Sequence, residues 1–214
     1  MIFQRILKGI VGVTAADARR RLNGSGLECN WWRAVDPLPE SEVPGRLIPE
    51  NLRLHLSSYD QVDPATGQPF GLLTPFISTT AGTVERDPYV AQNTLFSAFV
   101  TALAFATEGF RTDGAVYFGY VNVLGRPAVG LREFAEETRD LHQWHDYQPY
   151  HPEGEIVAKI QIPAAHLEKA EGYNGPAALA DFRRRRLPRP AWQELNQSCY
   201  VRPEDVCNIR DALT

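Results

Sequence analysis

Glu153 and Glu155 stand two residues apart where a loop meets an apparent strand. In extended geometry that spacing sends both carboxylates to one face of a sheet. Side by side they repel, and a site that keeps them needs a cation or a proton to hold. The plainer reading is a pair of solvated loop charges. Arg33 lies inside the aromatic run Cys29-Asn-Trp-Trp-Arg-Ala-Val35. An arginine buried in a strand requires an anion, either a structural carboxylate or a phosphate. Ser78-Thr79-Thr80 places three hydroxyls in a row, able to cap a following helix or to orient a ligand. Asn51 and His55 are four residues apart on a predicted short helix. A lone histidine there reads first as a surface or core residue.

The elements that must position these groups follow from pattern. Glu155 to Ile162 alternates Ile156, Ala158, Ile160 and Ile162 with Val157, Lys159 and Gln161, which predicts a strand. Before it, residues 147 to 154 carry Pro149, Pro152 and Gly154, the marks of a shaped loop. Cys29–Val35 predicts a core strand carrying Arg33, and Glu50–Ser57 a short helix. Phe76 and Ile77 predict a strand that ends in the three hydroxyls. Leu95, Phe96, Phe99, Leu103 and Ala106 share one face of a helix over 92–107, with Gly109 as its C-cap. Residues 115–124 predict a strand and 130–141 a short helix. Residues 2–13 place Ile2, Phe3, Ile6, Leu7 and Ile10 on one helical face, and predict a helix docked on the core or a membrane-surface or secretion segment. Thr14 to Asp17 forms a capping box opening the next helix, which Asn23-Gly24 stops. Gly172–Pro176 predicts a turn, Trp192 and Tyr200-Val-Arg a last strand, and Asp205–Leu213 a closing helix.

The chain has 214 residues and a formal net charge of −4, with 43% hydrophobic and 22% charged residues, as in ordinary globular proteins. That charge gives no general drive toward nucleic acid or anionic membrane. The arginine run Arg183–Arg186 reads as a solvated face or a partner-docking patch. Cys29, Cys199 and Cys207 are odd in number and lack CxxC spacing, so they indicate neither a disulfide framework nor a zinc site. No run approaches a membrane span, and no signal peptide is evident at the N-terminus.

Taken in chain order, an arginine in an aromatic stretch, a Ser-Thr-Thr and a Glu-x-Glu form a triplet. It resembles that of the Arg-Ser-Glu class of mono-ADP-ribosyltransferases, the cholera-toxin-like enzymes. Trp32-Arg33-Ala34 looks like the family's aromatic-Arg strand, and Asn51-Leu-Arg-Leu-His55 like the Asn and His that follow it in the toxin branch. Phe76-Ile-Ser-Thr-Thr80 is similar to the Ser-Thr-Ser strand, with Thr80 in place of the last serine. Tyr150-His-Pro-Glu153-Gly-Glu155 fits the aromatic-x-x-(Gln or Glu)-x-Glu loop. The resemblance covers roughly residues 29 to 165, and residues 125–146 read as an insertion.

The resemblance implies an α+β ADP-ribosyltransferase-like fold: two packed, mainly antiparallel sheets with flanking helices and an NAD cleft. Residues 28–214 would form the catalytic domain, and 1–27 a helical extension outside it. The implied reaction cleaves the nicotinamide–ribose bond of NAD and transfers ADP-ribose to an acceptor protein, with no metal. Glu155 would stabilise the cationic ribose, Arg33 would hold the pyrophosphate and Ser78 would brace Glu155. Thr79, Thr80, Asn51 and His55 would be further NAD contacts. Glu153 and Tyr150 would recognise the acceptor, Glu153 favouring arginine. The resemblance also implies a bacterial toxin or effector, cytosol-compatible and delivered by a specialised secretion system, with no nucleic-acid partner. An NAD glycohydrolase on the same scaffold, or a non-catalytic interaction protein that keeps the fold, are the competing readings.

Overall fold

The computed structural model describes residues 2–34, 40–64, 66–81, 94–124, 135–137, 155–201 and 206. In chain order the elements are β1 (Ile2–Val11), α1 (Ala15–Leu22), β2 (Leu27–Glu28), α2 (Asn30–Ala34), α3 (Val43–Arg46) and α4 (Pro49–Ser57). There follow β3 (Phe76–Thr80), α5 (Thr94–Ala106), β4 (Asp113–Leu124), β5 (Ala135–Glu137), β6 (Glu155–Lys159) and β7 (Gln161–Ile162). β8 (Leu167–Asn174), α6 (Gly175–Arg183) and β9 (Trp192–Leu195) complete the set. The architecture is α+β, as the sequence predicts. Among the described residues it holds one seven-stranded sheet, ordered β5-β6-β3-β1-β4-β8-β9, and a two-stranded sheet of β2 and β7. The pairings between these strands are antiparallel. The second sheet is thus an appendage to the first rather than its equal.

The first segment corrects the sequence reading. Ile2–Val11 is a strand in the middle of the large sheet, not a helix outside the core. Its apolar residues satisfy a helical stripe, but they also supply both faces of a strand. Ile6 and Ile10 pack on one face, and Leu7 packs on the other. A strand covered on both sides carries apolar residues on both, and periodicity alone does not tell it from a helix. The reading of 14–17 holds: Thr14 and Asp17 form the capping box of α1.

Cys29–Val35 is a second correction. Residues 30–34 form the short helix α2, so Arg33 is helical and exposed rather than buried in a strand. A strand would send Trp31 and Trp32 to opposite faces, whereas this turn buries both in one cluster. In the predicted helix 130–141, the three described residues are β5, paired to the edge of β6 from Ala135↔Ala158 to Glu137↔Ile156. The predicted turn at Gly172–Pro176 instead holds the end of β8 and the start of α6, which Asn174 caps by accepting from the Ala177 N–H at 2.9 Å. Trp192 does begin a strand, whereas Tyr200 and Val201 are not in one. The predicted helix 205–213 lies outside the described residues except for Val206, which bridges Phe3.

Three apolar clusters hold these elements. The main one gathers Ile6, Leu22, Trp31, Trp32, Ile77, Tyr117, Ile156 and Ile160 on one face of the sheet, and includes Leu27 and Ile162 of the small sheet. On the other face, Ala98, Ala102, Leu103 and Ala106 of α5 meet Leu7, Val116 and Tyr173. Leu52 and Leu56 of α4 meet Phe76 and Val157. The contact of α5 is unusually close. A Cβ on Gly9 would lie 2.0 Å from the Ala102 carbonyl oxygen, and one on Gly114 1.8 Å from that of Ala106. No side chain fits in either gap, so both strand positions require glycine.

Two further features set up the candidate site. Leu7↔Thr80 is the one register pair joining β3 to β1 among the described residues. From it toward Val11 on β1 and back toward Phe76 on β3, the strands run unpaired and the sheet forks. At the far end of β6, Ile160 has a φ of 60°, a left-handed conformation rare for a β-branched residue. It is held there by its N–H donating to Pro75 O at 2.9 Å, its carbonyl accepting from Cys29 N–H at 2.8 Å, and complete burial. That kink lets the chain leave the large sheet and form β7 in the small one.

Replacing Gly9 with alanine is expected to destabilise the protein by about 3 kcal/mol, because α5 must lift off the sheet. Urea unfolding of Gly9→Ala against the parent chain measures this, and an unchanged midpoint would contradict the close crossing.

Candidate active site

The geometry of the candidate site begins with the pairing of β3 and β6. Thr80 lies opposite Glu155, and Ser78 opposite Val157. Directly opposed residues share a sheet face, and so do residues two apart along a strand. Ser78, Thr80 and Glu155 therefore lie on one face, with Ser78 diagonal to Glu155. Glu155 is buried, at 8% exposure, and Thr80 is buried beside it at 5%. Thr79 points the other way: its hydroxyl donates to the Ile156 carbonyl at 2.7 Å and fastens β3 to β6. The structure thus brings two of the three predicted hydroxyls to the glutamate and gives the third to the backbone.

His55 arrives on this face from α4. Its Nε2 lies 2.8 Å from Ser78 Oγ and its Nδ1 2.8 Å from Thr74 Oγ1. Thr74 Oγ1 also accepts from the Phe76 N–H at 3.3 Å. Both ring nitrogens are therefore engaged, and the imidazole is clamped between β3 and the turn before it. Burial, reinforced by the nearby Lys8 cation, draws the His55 pKa down to about 3. At physiological pH the ring is neutral, so it braces Ser78 as a hydrogen-bonding group and not as a cation. Asn51, one turn earlier on α4, donates to the Arg46 carbonyl at 2.8 Å and closes the end of α3. Arg46 itself stacks over the Trp31 ring, 5.2 Å from its centre.

Arg33 is tethered by Asn30, whose side-chain oxygen accepts from the guanidinium. The same Asn30 amide donates to Gly71 O at 2.7 Å and to the Tyr59 hydroxyl at 3.1 Å. Tyr59 in turn meets the His55 ring edge-on, with centres 5.9 Å apart. A chain of contacts thus runs from Arg33 through Asn30 and Tyr59 to His55 and Ser78. Burial pushes the Tyr59 pKa up, so its hydroxyl stays protonated.

Lys8 on β1 completes the group. Burial draws its pKa from 10.5 down to about 8, Glu155 acts to raise it, and Arg33 acts to lower it. One ammonium therefore senses both the buried carboxylate and the arginine, while His55 senses the ammonium. The four groups come from four elements and share one electrostatic neighbourhood. Lys8, Thr74, Asn30 and Tyr59 escape the sequence reading. A lysine inside an apolar ten-residue run was the available signal for Lys8; the other three carry none.

Glu153 and Tyr150, the predicted acceptor-recognition residues, lie outside the described residues. Among the described residues, no cluster of three or more His, Cys, Asp or Glu could hold a metal, and no helix is long and apolar enough to cross a membrane. No family model matches the chain. No curated protein matches it. Among solved structures the chain is similar to one named EcPltA, at 14% identity over 94% of this chain and 87% of that one, with a TM-score of 0.45.

Because His55 is neutral when folded and titrates near 6.5 when unfolded, the folded state binds fewer protons than the unfolded state between pH 6.5 and about 3. Stability is therefore lost as pH falls through that window, by roughly 4 kcal/mol from this group. In His55→Gln the stability gap to the parent chain should narrow by about that amount between pH 7 and pH 3, read by denaturant unfolding at each pH. A constant gap would mean that His55 is not buried neutral.

Proposed function

We propose that this protein is an NAD-dependent mono-ADP-ribosyltransferase directed at arginine in an acceptor protein, acting as a toxin or effector. The observation that carries this reading is the shared face of Ser78, Thr80 and the buried Glu155, with Arg33 in the same electrostatic neighbourhood. Those are the residue types the reaction needs, and they converge from separate parts of the chain.

In this reading the bond between nicotinamide nitrogen and ribose C1′ breaks, and its electron pair leaves with the nicotinamide. The ribose becomes an oxocarbenium-like cation, the charge type that glycosidases stabilise with carboxylates. Glu155, accepting a hydrogen bond from a ribose hydroxyl, interacts more strongly with that cation than with ground-state NAD, which is the requirement for catalysis. Ser78, braced by His55, keeps Glu155 and the β3 backbone in register. Arg33, set by Asn30, binds the pyrophosphate through charge-assisted hydrogen bonds. An arginine nitrogen of the acceptor then attacks C1′ and loses a proton to Glu153, two residues before Glu155, and Tyr150 helps seat the acceptor. Thr80 lines the same face. Thr79 and Asn51 act on the frame of the site, through the Ile156 and Arg46 carbonyls.

NAD consumption by the purified protein tests this, with and without agmatine as an arginine mimic. Turnover should rise with agmatine and fall on the order of a hundredfold to a thousandfold in Glu155→Gln. The variant should unfold at the same temperature as the parent within a few degrees. Turnover indifferent to agmatine would favour water as acceptor, and no turnover with no NAD binding would sink the enzymatic reading.

A further inference from the structure

Thr74 has no role in the reaction as laid out above, yet its hydrogen bonds decide which nitrogen of His55 carries the proton. Thr74 is held on three sides. Its carbonyl accepts from the Trp31 N–H at 3.1 Å, and its hydroxyl oxygen accepts from the Phe76 N–H at 3.3 Å. Pro75 restricts the backbone before it to extended conformations. The residue is buried, at 1% exposure. Among the described residues its hydroxyl hydrogen meets one acceptor, His55 Nδ1 at 2.8 Å. A proton on Nδ1 would leave that buried hydroxyl hydrogen unpaired, and an unpaired buried donor costs more than a made hydrogen bond returns. A neutral imidazole has one donor nitrogen and one acceptor nitrogen. Nδ1 therefore accepts from Thr74, and Nε2–H donates to Ser78 Oγ at 2.8 Å. Each group in this row gives its hydrogen to the next, from Phe76 N–H through Thr74 and His55 to Ser78.

Ser78 thus receives a hydrogen from His55 and does not give one to it. Its own hydroxyl hydrogen points away from the imidazole, and the half-buried side chain stands on the face of Thr80 and Glu155. This is the reverse of a serine activated as a nucleophile, which donates to its histidine. We propose that Thr74 is a positioning residue: by donating to His55 Nδ1 it holds the Nε2–H tautomer, and so keeps the Ser78 hydroxyl as a hydrogen-bond donor on the face of Glu155. The direction of the row stands on hydrogen bonding alone. Its use in catalysis rests on the transferase reading, in which the acceptor is the Glu155 carboxylate, diagonal to Ser78 and within the span of a long side chain. A donor there favours the ionised carboxylate that a cationic ribose requires.

Nitrogen-15 NMR of the histidine rings in the full chain tests the tautomer, with the His55 signals assigned by their loss in His55→Gln. The parent chain should show Nε2 protonated and Nδ1 bare. Thr74→Val removes the hydroxyl at nearly constant volume. Either tautomer then leaves Nδ1 without a partner, so a mixture of the two is expected, and Thr74→Ser should restore the parent spectrum. Thr74→Ala repeats the comparison with less bulk and serves where the valine variant does not fold. In NAD turnover, kcat should fall about tenfold in Thr74→Val with KM little changed, the worth of one net hydrogen bond, and Thr74→Ser should recover it to within about twofold. A parent ring protonated at Nδ1 overturns the assignment, and so does a single tautomer shared by the parent chain and the variants that lack the hydroxyl. A tautomer that shifts while kcat stays constant overturns the part given to Thr74 in the reaction. An Nε2–H ring held by Thr74, in a protein that does not cleave NAD, supports the row of hydrogen bonds and overturns the transferase reading instead.

Discussion

Leu7↔Thr80 joins a three-strand arm, β5-β6-β3, to a four-strand body, β1-β4-β8-β9. A continuous antiparallel ladder would have paired Gly9 with Ser78, and instead the two strand edges part there. The fork exists because the strands are held by different partners. α5 presses directly on the backbone of β1 at Gly9, whereas α4 covers β3 and β6 through Leu52, Leu56, Phe76 and Val157. Two helices gripping two neighbouring strands separately allow them to part. The groups that gather at the opening are polar, and that is consistent with the cost of leaving unpaired strand edges in a dry interior.

The electrostatics follow from this opening. A carboxylate at 8% exposure and a half-buried ammonium would each be expensive alone. Near one another they lower that cost, but the burial of Lys8 still outweighs the help from Glu155, since its pKa falls to about 8.

The sequence reveals local chemistry better than it reveals partners. The capping box at Thr14–Asp17, the helix 49–57, the strand 76–80 and the long strand ending at Leu124 are legible because each depends on neighbours in the chain. Two of the misread segments depend on distant contacts. Ile2–Val11 becomes a strand because β3 and β4 flank it, and its apolar spacing fits two periods at once. Asn30–Ala34 becomes helical because its two tryptophans have one cluster to fill, and because the Trp31 N–H finds Thr74 O at 3.1 Å. Arg33 was recognised by type and order while its element was not. The resemblance rests on ordered residue types, so it does not depend on which element carries Arg33. The setting of Lys8 depends on what β1 is inserted beside, which the sequence does not show.

The strained residue Ile160 shows how positioning extends beyond the residues that would do chemistry. Glu155 opens β6, and five residues later the chain must turn into the small sheet. The left-handed kink costs of order 1 to 3 kcal/mol, and it persists because burial and two backbone hydrogen bonds over-determine it. Those bonds run to Cys29, directly before α2, and to Pro75, directly before β3. One kink therefore ties the segment carrying Arg33, the strand carrying Ser78 and the strand carrying Glu155 to a common point. A shift at Ile160 would move all three together rather than one against another. The segments that carry the three groups are thus tied together at the far end of β6 by backbone geometry, while Ser78 and Glu155 share a face toward its near end.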